Sequence, residues 1–189
     1  MINNHNMSLT KTPICDFGKQ AENFKLKSTD GKFLTLEDLK GKNGTLIMFI
    51  CNHCPYVKAI ISDIVKDCNK LSKLGVNSLA ICSNDVVNYP EDSFENMSIF
   101  SKKNNFNFSY LHDETQEVAK KYGAVCTPDF FGYNRNLELQ YRGRIRELKD
   151  LKPIRDGDSD LLLAMTQISK TGNGPTEQIP SMGCNIKWR

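Results

Sequence analysis

Seven cysteines are spread over the 189 residues, at positions 15, 51, 54, 68, 82, 126 and 184. Two of them, Cys51 and Cys54, stand two residues apart in the stretch FICNHCPYVK, with Asn52 and His53 between them and Pro55 directly after. Three chemistries use that spacing. A CxxC can supply half of a structural zinc site, whose ion takes four ligands, commonly two such pairs. It can close a permanent disulfide, or it can exchange electrons with other thiols and disulfides. The sequence has one CxxC and no His-x-x-x-His after it, so zinc would need distant ligands such as Cys126 or Cys184. A secreted disulfide scaffold carries a dense, even set of cysteines behind an apolar leader, whereas MINNHNMSLTKT is polar and the cysteine count odd. These features predict a cytoplasmic protein, where a CxxC serves catalysis or metal binding more often than stapling. Redox exchange is the reading the residues favour, with no organic cofactor and no metal.

The thiolate, not the thiol, is the nucleophile, so an ordinary thiol pKa of ~8.5 must fall before attack is fast at neutral pH. Cys51 precedes a predicted helix whose N-terminal N–H groups and dipole favour an anion. His53 can donate a hydrogen bond to it or carry positive charge beside it. Surroundings of this kind lower CxxC thiols to ~3.5–7.5. Cys54, one turn into the helix and more buried, would then attack the mixed disulfide on Cys51 and release the partner.

The flanking patterns say how the pair is held. Gly44 to Ile50 is an unbroken apolar run that reads as a strand buried on both faces. Val57, Ile61, Ile64, Val65, Cys68 and Leu71 then recur at helical spacing up to Gly75, and Pro55 suits the first turn of that helix. Val76 to Cys82 reads as a second buried strand, giving a βαβ unit with the CxxC at the strand-to-helix junction. Phe24 to Leu34 reads as an N-terminal hairpin around Asp30-Gly31. Ser93 to Lys103 reads as a helix with Glu91 and Asp92 at its start, and Phe108 to Leu111 as a short extended piece. Asp113 to Gln116 resembles a capping box that opens a helix ending at Gly123. Asp129–Tyr133 and Leu137–Arg142 form a second hairpin, and Asp158 or Ser159 caps a last helix. The sequence predicts an α/β fold: residues 1–14 as a disordered arm, one domain over 15–171, and a tail over 172–189 that docks on the domain.

A second signal lies in Cys126-Thr127-Pro128, where a Thr-Pro opens the antiparallel half some way after the CxxC. A CxxC at a helix start with a later Thr-Pro resembles the thioredoxin superfamily. FICNHCPYVK, SNDVVNYPEDSFENM, YLHDETQEVAKKYGAVCTPDFF and SMGCNIKWR together resemble the AhpC/TSA, peroxiredoxin-like branch of it. The resemblance covers about residues 15 to 189. It implies a thioredoxin-like fold, βαβ followed by ββα in three α/β/α layers, with the N-terminal hairpin as an extension. It implies Cys51 as nucleophile, Cys54 as resolving thiol and Pro128 as a cis-proline beside the reactive sulfur. Thr127 and His53 become supporting residues. A thiol-disulfide oxidoreductase follows, acting on protein or small-molecule disulfides and thiols and fed by an upstream thiol reductant. His53 in the third place of the motif resembles disulfide isomerases and oxidants and predicts a couple more oxidising than thioredoxin.

Two other activities stay open. One is a peroxiredoxin-like thiol peroxidase using Cys51 with Cys54 or Cys184. Against the peroxiredoxin pattern Pro-x-x-x-Thr-x-x-Cys this chain carries Gly44, Met48 and Cys51, without the threonine hydroxyl. The other is a thioredoxin-fold copper(I) protein, since soft thiolates suit Cu(I), with His112 as distal ligand. Cys126 and Cys184 are candidates for additional redox thiols; Cys68 and Cys82 fall on apolar faces and read as structural. A net charge of +3 with dispersed basic residues gives no ground for nucleic acid, and Arg142, Arg144 and Arg146 read as a solvated strand end. No window approaches the ~18 consecutive apolar residues of a membrane span, so no membrane partner is expected.

Overall fold

The computed structural model describes residues 8–189. Strand β1 (Leu9–Lys11) precedes the hairpin of β2 (Lys25–Ser28) and β3 (Phe33–Thr35) and the single turn α1 (Leu36–Leu39). Then come β4 (Gly44–Phe49), α2 (Pro55–Ser72), β5 (Val76–Cys82), α3 (Phe94–Lys103), β6 (Ser109–His112) and α4 (Glu117–Tyr122). The second half holds β7 (Cys126–Thr127), β8 (Asp129–Tyr133), β9 (Leu139–Tyr141), the small hairpin β10 (Leu148–Lys149) and β11 (Lys152–Pro153), α5 (Asp160–Thr171) and β12 (Met182–Asn185).

The central sheet runs β3-β2-β6-β5-β4-β8-β9. β4, β5 and β6 are parallel neighbours, and β8 lies antiparallel to β4, so the strand carrying the CxxC sits in the middle. Its apolar run follows from that place. Leu46, Met48 and Ile50 pack with Val57, Ile60 and Ile64 of α2 and with Met165 of α5 on one face. Ile47 and Phe49 pack with Leu36 of α1 and Val118 and Tyr122 of α4 on the other. Both faces of a central strand are covered, so alternation disappears and length decides strand over helix. The result is a three-layer α/β/α thioredoxin-like fold, with the β2–β3 hairpin joined to the main sheet through β6.

Several expectations are corrected in detail. The arm expected to be disordered over 1–14 contributes β1, which pairs with β12 of the tail; its first seven residues lie outside the described range. Asp113-Glu-Thr-Gln116 is no capping box. Gln116 takes φ 65° and sends its amide to the carbonyls of Ser83 and Lys187, while the buried Asp113 carboxylate accepts from the N–H of Val118 and Ala119. Glu91 and Asp92 do not start α3. They end a separate 3₁₀ turn, Pro90–Asp92, and α3 begins after a Ser93 cap. The three arginines are not a solvated strand end: Arg142 is buried against Asp129, Arg144 pairs with Asp160 and Arg146 with Asp63. Each has a carboxylate fixed opposite it by the fold, so charge density in sequence misreported exposure. Among the described residues no helix is long and apolar enough to cross a membrane.

Candidate active site

Cys51 follows β4, and Cys54 is the N-cap of α2, with Pro55 in the first turn where its missing N–H leaves nothing unpaired. The two residues between the sulfurs are held from behind. The Asn52 N–H donates to Asp92 Oδ1 at 2.8 Å, its side-chain amide donates to the Glu91 carbonyl at 3.0 Å, and its Oδ1 accepts from Tyr110 at 2.8 Å. His53 Nδ1 lies 2.6 Å from Asp92 Oδ2. Asp92 is fully buried and also accepts from Asn84 at 2.8 Å. Its hydrogen bond is the main reason the His53 pKa is raised above the ordinary imidazole value, against the opposing pull of burial. Ligand atoms of Cys51, His53 and Asp92 lie within 4.8 Å of one another. His112 does not belong to that group; it sits in β6 beside Phe94, its pKa lowered by burial.

The Thr127–Pro128 peptide is cis, and Thr127 touches both sulfurs. Its Oγ1 lies 3.4 Å from Cys51 Sγ, and its carbonyl accepts from Cys54 at 3.3 Å. A third sulfur, Cys184 Sγ on β12, lies 3.0 Å from Cys54 Sγ. Cys126 is buried next door, but its thiol is directed at the Pro128 carbonyl, 3.5 Å away. The fold thus gathers Cys51, Cys54, His53, Thr127, Pro128 and Cys184 at one end of the sheet. It also brings in Asp92, which is read from sequence only as a helix-start carboxylate and whose contact with Asn52 spans 40 positions of chain.

Both cysteines of the pair are almost inaccessible, Cys51 at 1% and Cys54 at 0%. Burial chiefly, together with the Cys54 hydrogen bond and the Asp92 charge, pushes the Cys51 thiol well up. Cys54 is pulled down by hydrogen bonds from Cys184 and Cys51 and by the Val57 N–H of the helix start. The two directions run opposite to the expectation, with the surroundings favouring the thiolate at Cys54 more than at Cys51. The Cys184 and Cys51 thiols beside Cys54 account for most of the difference, and the helix-start N–H of Val57 adds a smaller part. A cleft of about 530 Å³ opens beside the cis-proline, lined by Tyr56, Ile60, Pro128, Ile145, Leu148 and Ile179.

Thiol redox chemistry on a thioredoxin-like fold is the class this arrangement belongs to. The chain belongs to the AhpC/TSA family, which it matches over residues 17–148. It is 41% identical to an uncharacterized conserved protein from Geobacillus kaustophilus of known crystal structure. That likeness covers 97% of this chain and 98% of the other, with a TM-score of 0.92. A protein of Coxiella burnetii provisionally named peroxiredoxin bcp is 29% identical over 117 residues, 62% of this chain and 72% of that one. The match to the chloroplastic peroxiredoxin Q of Triticum aestivum, 28% identical, covers 61% of this chain and only about half, 48%, of that protein. The thioredoxin domain of a thiol-disulfide oxidoreductase from Bacteroides vulgatus superposes with a TM-score of 0.57 over 67% of this chain and 86% of its own; at 16% identity it speaks for the fold alone.

Proposed function

We propose that the protein is a thiol-disulfide oxidoreductase whose working couple is Cys51 and Cys54. The observation that carries this reading is Thr127. One residue at a cis peptide sets its hydroxyl on Cys51 and its carbonyl on Cys54, an arrangement that a zinc ligand pair or a buried staple does not need. Cys51 attacks a partner disulfide and forms a mixed disulfide while one partner thiol leaves. Cys54 then attacks the Cys51 sulfur, a Cys51–Cys54 disulfide closes, and the second partner thiol is released. Cys54 lies against Cys51 on one side and Cys184 on the other, which supports it as the thiol that resolves a mixed disulfide on Cys51. The partners are protein or small-molecule disulfides, with an upstream thiol reductant restoring the pair in a reducing, cytoplasmic setting. The cleft beside Pro128 offers them room.

A second reading, thiol peroxidase, is favoured by the peroxiredoxin relatives and by the Thr127 hydroxyl beside Cys51. Met48, buried in β4, stands where the peroxiredoxin pattern has its threonine. The test is direct. Insulin or glutathione disulfide reduction and hydrogen peroxide consumption are measured for the wild type, Cys51→Ser and Cys54→Ser. Exchange lost in Cys51→Ser, with a mixed disulfide trapped on Cys51 in Cys54→Ser, supports the oxidoreductase. Peroxide consumption outpacing disulfide exchange supports the peroxidase. Exchange that survives Cys51→Ser overturns both.

A further inference from the structure

We propose that Cys184 is the third thiol of the cycle: the disulfide closed between Cys51 and Cys54 passes onto Cys54 and Cys184 and returns Cys51 as a free thiol. This inference rests on the redox reading of the pair. Three sulfurs form a chain through contacts, with Cys54 in the middle, hydrogen-bonded to Cys51 and 3.0 Å from Cys184. In the step, the Cys184 sulfur attacks Cys54 Sγ and forms a new S–S bond. The Cys51–Cys54 bond breaks, its electron pair leaves on Cys51 Sγ, and the proton given up by Cys184 is matched by one that Cys51 takes. One disulfide is broken and one made, so no outside oxidant is needed. An external dithiol then reduces Cys54–Cys184 and becomes a disulfide itself.

The tail is built to hold Cys184 at that point. β12 is the middle strand of a three-stranded sheet, with Cys184 opposite Leu9 of β1 on one side and Thr127 of β7 on the other. At Gly183 a side chain is excluded: a Cβ there would stand 2.0 Å from the Thr127 carbonyl oxygen and 3.0 Å from Pro128 Cδ. The Ser181 hydroxyl donates to the Pro128 carbonyl at 2.9 Å, and the Lys187 N–H donates to Asn84 Oδ1 at 2.9 Å. A cysteine kept only for packing needs none of this. Cys68 and Cys82 are equally buried in the core, and the Cys126 thiol is spent on a carbonyl.

Chemistry and topology then agree on a direction. In the reduced protein the Cys184 thiol is held up chiefly by its hydrogen bond to Cys54, with burial second; once Cys54 enters a disulfide that hold weakens, while Lys187 favours the thiolate. β12 also occupies the backbone edge of Thr127, so an extended peptide cannot add there while the tail is docked. A couple with that edge closed gains an exit if the closing strand itself carries the disulfide away.

Mass spectrometry separates the outcomes. Cleavage after lysine and arginine leaves Cys51 and Cys54 together on the peptide from Asn43 to Lys58 and Cys184 on the peptide from Thr171 to Lys187. The full-length protein is oxidised with glutathione disulfide, its free thiols are blocked, and it is digested. The expected result is an internal link in the first peptide together with a cross-link between the two peptides. The cross-link is lost in Cys184→Ser, which keeps the internal link, and neither link forms in Cys51→Ser, which lacks the entry sulfur. Gly183→Ala, which pushes the tail off Thr127, loses the cross-link and keeps the internal link. If the internal link forms in the wild type but the cross-link is absent there, the relay is wrong and the exchange couple stands. If neither link forms there, the reading of the couple itself is wrong.

Discussion

Among single residues, Asp92 does most to set the site apart from a bare CxxC. Its carboxylate binds the Asn52 N–H and the His53 ring, so both residues between the cysteines take their position from one buried group. The pH consequence has a definite sign. His53 has a raised pKa in the folded protein, so its pairing with Asp92 stabilises the fold fully below the unfolded imidazole value of about 6.5, and that stability is lost as pH rises through the folded-state value. His53→Gln should therefore show its largest stability deficit in mildly acid buffer, and the deficit should shrink on the alkaline side of the His53 titration. Urea midpoints across that range measure it, and NMR titration of the ring should give a pKa that falls toward about 6.5 in Asp92→Asn. A deficit independent of pH would mean that the charged imidazole gains nothing from Asp92. Cys51, His53, Cys54, Thr127 and Pro128 were legible because each belongs to a short motif. Asp92 was not, because it lies in a separate turn and its role exists only once α2 and that turn are side by side.

At the level of elements, β8 has to hold the cis-proline turn against the cysteines, and it is fixed by an ion pair with no exposed member. Arg142 donates to both oxygens of Asp129, at 3.3 and 2.9 Å, and its guanidinium lies 4.3 Å from the centre of the Phe131 ring. The Val125 N–H adds a third bond to the same carboxylate, at 3.1 Å. Removing one partner of a buried pair leaves the other charge uncompensated, at a cost of about 3–5 kcal/mol. Arg142→Leu should be destabilised on that scale, and Asp129→Asn combined with it should recover part of the loss. Burial already raises the Asp129 pKa, so the single variant's deficit should ease as pH falls and the stranded carboxyl takes up a proton. Chemical denaturation of the two variants at neutral and acid pH decides it; equal deficits at both would rule out a stranded charge. β4, α2 and β5 were readable because a long apolar run and a helical stripe are local signals. β1 and β12 were not: three and four residues long, they are strands only because each finds an edge more than a hundred positions away in sequence or beside Thr127.

Across the whole molecule, the tail closes over the end of the sheet that carries the chemistry. Beyond the pairing of β12, the Lys187 carbonyl accepts from Gln116 at 2.8 Å, and Arg189 pairs with Asp85 at 3.2 Å. Ile186 is buried to 1% exposure in the cluster with Phe49 and Tyr122. Burying one such side chain is worth about 1.5–3 kcal/mol. For a chain of this size, each kcal/mol shifts Tm by about 2–4 °C. A protein ending at Pro180 should therefore melt at least about 3 °C lower on the apolar term alone. Its second signature is kinetic: Cys54, now 0% exposed and faced by Cys184, should be alkylated by iodoacetamide faster in the truncated protein under native conditions. The two readouts discriminate between roles for the tail. A lower Tm with unchanged alkylation would make the tail a structural strap, whereas both changes together would make it the cover of the site. If neither moves, the tail does not stay docked in solution, and the placement of Cys184 loses its meaning.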